Sequence, residues 1–283
     1  MAKIISFFSN SPNQGKRTIS QSFAKILSNN NQKVLYVELD YYNPSFANST
    51  QISHPKKNIR GFIQSAVLQS KFDVEPYIYT SDEVKAESNK RVQTVHAELP
   101  KNLHFLTLPL NFEETTFPTI TNSEDEKSEE EAFNFVEKIM FQLRNLEYSV
   151  IIINLPNEIK SVFGLPVLIE SDQVVNVITA NPTRIVEYQN VLKTIKHTSI
   201  DLKEWFTVIN QTNSSIDDSE YMGLINEENA PMLIPYDIER ANYEFSLKIG
   251  SPSIDLCNEE LIQSMGFPIQ PKAKRKGLFA SRR

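Results

Sequence analysis

The first twenty residues, Met1–Ser20, constrain this chain most. Lys3–Ser9 (KIISFFS) is a short run of β-branched and aromatic side chains, long enough for a buried strand. It breaks into Asn10, Ser11, Pro12, Asn13, Gln14 and Gly15, and Lys16, Arg17 and Thr18 then open an amphipathic segment. Strand, tight loop, Gly-Lys and helix is the layout of a phosphate-binding loop. There, backbone N–H groups and the helix N-terminus favour an anion, and the lysine reaches the outer phosphates. The full pattern asks for Gly where Asn10 stands and for Ser or Thr where Arg17 stands, so only Gly15 and Lys16 fit. On spacing alone, a strand–turn–helix without a ligand explains the segment as well as a nucleotide site does.

The remaining chain alternates strands and helices. Ile19, Phe23, Ile26 and Leu27 form a helical stripe that Asn29, Asn30 and Asn31 end. Lys33–Leu39 (KVLYVEL) is a second buried-type strand, and it stops at Asp40. A carboxylate at the carboxyl end of a parallel strand points into the crevice where such sheets bind ligands, although Asp40 before Tyr-Tyr-Asn-Pro also suits a turn. A short helix is predicted over Asn58–Leu68 and an irregular polar segment over Lys71–Leu99. Leu103–Leu108 is a third strand, followed by an acid-rich loop, Glu113–Glu131. Ala132–Leu146 predicts a helix with Phe133, Val136, Ile139, Met140 and Leu143 on its buried face.

Tyr148–Leu155 (YSVIIINL) is the most apolar strand, expected to be central and covered on both faces. Strands at Gln173–Thr179, Phe206–Asn210 and Met232–Ile234 follow, with helices at Pro182–Ile195, Glu239–Leu247 and Cys257–Met265. Such alternation predicts an α/β fold, a mostly parallel twisted sheet with helices on both faces. One domain over 1–267 and a basic C-terminal tail over 268–283 are expected.

Composition narrows the class. The chain has 283 residues, 40% hydrophobic, and no apolar run reaches the length of a membrane span. The apolar start is too short for a signal peptide, and one cysteine, Cys257, excludes an intramolecular disulfide framework, so a cytoplasmic setting is expected. A net charge of −6 argues against wholesale nucleic-acid binding. The four histidines lack ligand spacing.

Together, five fragments resemble the ParA/MinD superfamily, the deviant Walker A, SIMIBI-type P-loop ATPases. KIISFFSNSPNQGKRT resembles that family's strand and K-G-G-x-G-K-T-T loop, and VLYVELDYYNPSFA its V-L-L-I-D-x-D-x-x-x-P-S segment. YSVIIINLPNE resembles Y-D-x-V-I-I-D-x-P-P, FTVINQT the strand whose Asn reads adenine, and MLIPYDIERANYEFSLKIGSPSID the I-P-Y-D segment with its helix. The resemblance covers roughly Ala2–Met265 and implies a MinD/ParA-like P-loop fold. It implies that Asn13, Gln14, Gly15, Lys16, Arg17 and Thr18 hold ATP or ADP phosphates, with Asn210, Pro235 and Asp237 around adenine. Lys16 and Asp40 would be the catalytic pair, Asp40 orienting water, and Thr18 and Asp40 the candidates for Mg²⁺.

Three departures fall on chemistry. Ser11 stands where the family's signature lysine reaches across a dimer, Arg17 where a Thr binds Mg²⁺, and Asn154 where an Asp holds a magnesium water. An added cation and a lost carboxylate both weaken Mg²⁺ binding, since that ion favours oxygen ligands and carboxylates. Asn154 is instead expected to hydrogen-bond the loop backbone. Glu38 replaces the first Asp of D-x-D and is expected to face the crevice.

The resemblance therefore implies a pseudo-ATPase with weak nucleotide binding or none, not an enzyme or barely one. As a scaffold or localisation factor it would serve a membrane-associated bacterial machine such as a pilus, secretion, conjugation or flagellar system, through protein partners. A homodimer is open. The tail PKAKRKGLFASRR combines basic residues with Leu278 and Phe279, which suits peripheral contact with the inner face of the cell membrane or a disordered tail equally. One alternative is an active ATPase that partitions DNA or positions a complex by ATP-dependent dimerisation. Another, suggested by DYYNPS, is a polysaccharide-export-type tyrosine kinase, which the lack of any Tyr beyond Tyr243 disfavours.

Overall fold

The computed structural model describes residues 1–87, 90–120, 126–197, 204–225 and 230–270. Among them, eight strands form one sheet: β1 (Lys3–Phe8), β2 (Val34–Glu38), β3 (Tyr79–Thr80), β4 (Leu103–Leu106), β5 (Val150–Asn154), β6 (Gln173–Thr179), β7 (Glu204–Thr212) and β8 (Met232–Pro235). Their order is β3-β4-β2-β5-β1-β6-β7-β8. Every pairing is parallel except β3 with β4.

The central strands β1, β2, β5 and β6 are buried on both faces, and alternate residues supply two separate cores. Ile5, Phe7, Val150 and Ile152 point to one side, with Phe23 of the helix Lys16–Asn29 and Ile262 of the helix Pro252–Ser264. Ile4, Phe8, Ile151 and Ile153 point to the other, with Ile139 and Met140 of the helix Glu126–Asn145 and Phe62 of the helix Ile59–Gln69. This two-sided burial explains why β5 reads as an unbroken apolar run. The helix Ile59–Gln69 starts where predicted because the Asn58 side chain accepts from Gly61 N–H at 2.9 Å, an N-cap. A third, smaller core lies under the helix Pro182–His197, around Ile178, Tyr188 and Ile209.

Among the departures from expectation, three bear on the layering. Lys71–Leu99 is not irregular: it holds the edge strand β3 and the helices Ser81–Glu87 and Lys90–His96, with Tyr79, Val84 and Val92 buried. Elements of one or two turns are too short to show a period. The end of the acid-rich segment is helical, because Glu129, Glu130 and Glu131 stand in the helix Glu126–Asn145, near the end that favours negative charge. In that helix Phe133 lies toward solvent, 41% exposed, while Ala132 takes the core position in step with Val136, Ile139, Met140 and Leu143.

Packing continues to the last described residues. Phe267 and Ile269 lie against the first core, and Gln270 N–H donates to Asn30 Oδ1 at 2.8 Å. The basic cluster, Leu278 and Phe279 lie outside the described residues.

Two substitutions check the layering. Ile152→Ala, at a site with no solvent exposure, is expected to cost about 2–5 kcal/mol in urea unfolding. Phe133→Ala is expected to stay within about 0.5 kcal/mol of the parent.

Candidate functional site

The carboxyl ends of β1, β2 and β5 meet the N-terminus of the helix Lys16–Asn29, and a cleft of about 540 Å³ opens there. One wall is the loop of residues 11–18, the floor is Asp40, Asn154 and Asn157, and the far wall is Arg240 and Glu244. All of the loop residues singled out in the sequence, Asn13, Gln14, Gly15, Lys16, Arg17 and Thr18, line it.

Backbone conformation shapes the loop. Gly15 has φ 92° and precedes the first helical residue, and Asn13 has φ 62°, the left-handed region that Asn tolerates. A Cβ on Gly15 would stand 2.1 Å from Asn210 Nδ2, so glycine is required twice over, by torsion and by space. Asn210 Nδ2 donates to Gln14 O at 2.8 Å. Gln14 Oε1 in turn accepts from Thr179 N–H at 2.7 Å and from Thr179 Oγ1 at 2.8 Å. The loop is therefore tied to the ends of β6 and β7.

Lys16 and Asp40 come together as an ion pair of 3.0 Å, and both are buried. Lys16 Nζ also donates to Asn157 Oδ1 at 3.1 Å and to Leu155 O. An ammonium has three N–H donors, so all are committed within the protein. Burial pushes the Lys16 pKa down, and the Asp40 carboxylate opposes that shift. Asp40 Oδ1 accepts from Asn43 N–H at 3.2 Å, which fixes the carboxylate against the turn as well as the lysine.

Two arginines occupy the side of the cleft next to Thr18. Arg17 Nη2 meets Glu244 Oε1 at 2.5 Å and Arg17 Nη1 donates to Ser45 O at 3.3 Å. Arg240 Nη2 donates to Thr18 Oγ1. Burial lowers the Arg240 pKa and Glu244 offsets this. The donors proposed for Mg²⁺ are thus engaged: the Thr18 hydroxyl by a guanidinium, Asp40 by an ammonium. With two further cationic groups alongside, this donor set does not fit Mg²⁺. Among the described residues no cluster of three His, Cys, Asp or Glu could hold a metal.

Three sequence expectations need correction or refinement. Asn154 does not bond the loop through its carbonyl: Oδ1 is buried with no hydrogen-bond partner, and the residue faces the cleft. Glu38 turns away from the crevice, because its longer side chain reaches backbone N–H groups of the next segments. Oε1 accepts from Phe46 at 3.0 Å and Ser45 at 3.3 Å, and Oε2 from Leu108 at 3.3 Å. Ser11 is buried on the helix Pro182–His197, where Arg184 Nη1 donates to its Oγ at 2.9 Å and Glu187 Oε2 accepts from it at 3.3 Å.

The remaining expected residues gather next door. Asn210, Pro235 and Asp237 line a second cavity of about 240 Å³, which shares Arg240 and Glu244 with the first. Asp237 is itself braced, Oδ1 accepting from Glu239 N–H at 3.0 Å and Oδ2 from Ser251 Oγ. Asn157, Arg184, Arg240 and Glu244 were not singled out in the sequence. The available signals were the i, i+3 charge pair Arg184–Glu187 and the i, i+4 pair Arg240–Glu244 just after the strand ending at Pro235.

A parallel sheet whose loop after β1 wraps a cleft at its carboxyl edge decides the comparison. The chain has the fold of the ParA and MinD ATPases. A plasmid partition protein from Borrelia burgdorferi B31 bound to AMPPNP aligns over 94% of this chain and 100% of its own, with TM-score 0.66 and 15% identity. MinD from Pyrococcus horikoshii complexed with Mg-ADP aligns over 94% and 98%, with TM-score 0.65 and 13% identity. A MinC:MinD cell division complex from Aquifex aeolicus aligns over 96% and 99%, with TM-score 0.64 and 14% identity. No family model matches the chain, and no curated protein matches it.

The buried charges make two predictions. Asp40→Ala strands the Lys16 ammonium and is expected to cost about 3–5 kcal/mol, whereas the double variant Lys16→Met, Asp40→Leu recovers most of that in urea unfolding. Glu38 follows a different rule, since burial raises its pKa from 4.5 to about 7 against the pull of three N–H bonds. The folded state then holds that proton to higher pH than the unfolded chain does. Its stabilising contribution is complete below about pH 4.5 and is lost as pH rises through about 7, by on the order of 3 kcal/mol. Unfolding midpoints of Glu38→Gln measured from pH 4.5 to 8 should lack this component relative to the parent.

Proposed function

We propose that this chain is a catalytically degenerate member of the ParA/MinD superfamily. It binds the phosphates of ATP or ADP weakly in the 540 Å³ cleft, hydrolyses them little or not at all, and works as a scaffold or localisation factor. The observation that carries this reading is the state of the cations. Lys16 has no free donor, and Arg17 and Arg240 stand beside the hydroxyl that would otherwise serve a metal. Phosphoryl transfer depends almost wholly on placing cations against developing charge on the phosphates. A site whose lysine is held by Asp40 and whose metal ligands are engaged can hold an anion, but it lacks the arrangement that stabilises the transition state.

The nucleotides named for the solved structures support phosphates as the ligand, and the MinC:MinD complex supports action through a protein partner, with a homodimer as a further form. No helix among the described residues is long and apolar enough to cross a membrane. Residence on the cytoplasmic side, with peripheral membrane contact through the basic residues after Gln270, completes the proposal. About 1 kcal/mol for each Lys or Arg near an anionic surface is enough for reversible attachment.

Calorimetry with ATP and ADP tests the reading. The expected result is weak binding of both that disappears in Lys16→Ala, together with phosphate release indistinguishable from a protein-free blank. Robust Mg²⁺-dependent turnover by the purified protein would overturn it.

A further inference from the structure

Glu244 sits on the short helix Arg240–Phe245 and closes the cleft from the wall opposite the loop. Its two carboxylate oxygens are divided between two guanidinium groups, Oε1 at 2.5 Å from Arg17 Nη2 and Oε2 at 3.8 Å from Arg240 Nη2. The arginine side chains are 23% and 24% exposed, and the glutamate is 45% exposed. The cations are therefore built into the wall, and the anion between them is the part open to exchange. With Lys16 neutralised by Asp40, the charged side chains lining the cleft keep one positive charge in excess even when Glu244 is in place. Two buried polar atoms of the same cleft have no partner, Asn154 Oδ1 and Arg240 Nε. A buried polar group without a partner carries a desolvation cost that a ligand's donor or acceptor would relieve.

We propose that Glu244 is a resident anion holding the place of a phosphate group, and that a polyphosphate ligand enters by displacing it. The displaced carboxylate moves to solvent, and the ligand's outer phosphate takes the paired guanidinium groups of Arg17 and Arg240. Arginine suits this exchange, because its planar fork bonds phosphate bidentately. The two arginines supply the positive charge, so binding needs no divalent cation, and the Arg240 guanidinium on Thr18 Oγ1 sets a positive charge against any metal at that hydroxyl. This inference rests on the phosphate-binding reading and adds the competitor and the metal independence to it.

The test is titration calorimetry of the full chain with inorganic tripolyphosphate and with ATP, in EDTA and again with Mg²⁺. Glu244→Gln is expected to bind both ligands about tenfold more tightly than the parent, equally well in EDTA. Arg17→Gln is expected to lose binding of both. Glu158→Gln is the charge control: it removes an exposed carboxylate that acts on Lys16 but pairs with neither arginine, so a gain equal to that of Glu244→Gln would mark a general charge effect and overturn the displacement. Equal affinity of parent and Glu244→Gln, with Lys16-dependent ATP binding intact, would overturn the displacement alone. A strict need for Mg²⁺ would overturn the metal independence, and absence of binding in every variant would overturn the phosphate site as well. Circular dichroism of each variant keeps a folding defect from passing for lost affinity.

Discussion

Lys16 brings its amine into a place where little water reaches, at a point where the sheet's strands end. An ammonium there is tolerable only if every N–H meets an acceptor, and the three acceptors come from two separate stretches of chain: Asp40 after β2, and Leu155 and Asn157 after β5. The cation thus fixes how the ends of these strands stand relative to the loop after β1. Gln14 and Asn210 extend the same tie to β6 and β7. The geometry of the cleft follows from satisfying one buried charge and one tight loop.

Around that centre the chemistry is cationic and short of free carboxylates. Asp40 faces the lysine, Asn154 presents a neutral oxygen, and Glu38 is spent on the backbone of Ser45, Phe46 and Leu108. The one exposed carboxylate of the far wall, Glu244, lies between two arginines. A divalent metal is drawn to the opposite pattern, clustered oxygen ligands with negative charge, while an oligophosphate is drawn to this one. The same wall belongs to the second cavity, so a ligand reaching from Lys16 toward Pro235 and Asp237 would pass Arg240 on the way.

Much of this was legible along the chain. β1, β5 and β6 lie where largely apolar runs put them, because strands covered on both faces are mostly apolar, with buried polar exceptions such as Ser6 and Asn176. Gly15 and Lys16 mark the loop, and Asp40, Asn210, Pro235 and Asp237, singled out in the fragments after β2, β7 and β8, line the cleft or the cavity beside it. The segment around β3 was not legible, since its helices are too short to carry a period. Phe133 was misplaced because a neighbour one residue away, Ala132, keeps better step with the buried stripe.

Asn154 and Glu38 mark where local pattern stops informing. Each stands at the end of a strand whose direction the sequence implies, yet what each side chain meets depends on neighbours distant in the chain. Arg184 reaching Ser11, and Arg240 reaching Thr18 across 222 positions, have no local signature at all. The sequence by itself determined the alternation of strands and helices, the loop and the lysine, because hydrophobic period and turn chemistry act over a few residues. Only the tertiary structure decided which charges neutralise one another and what remains for a ligand, because electrostatic pairing in a buried cleft is set by distance in space.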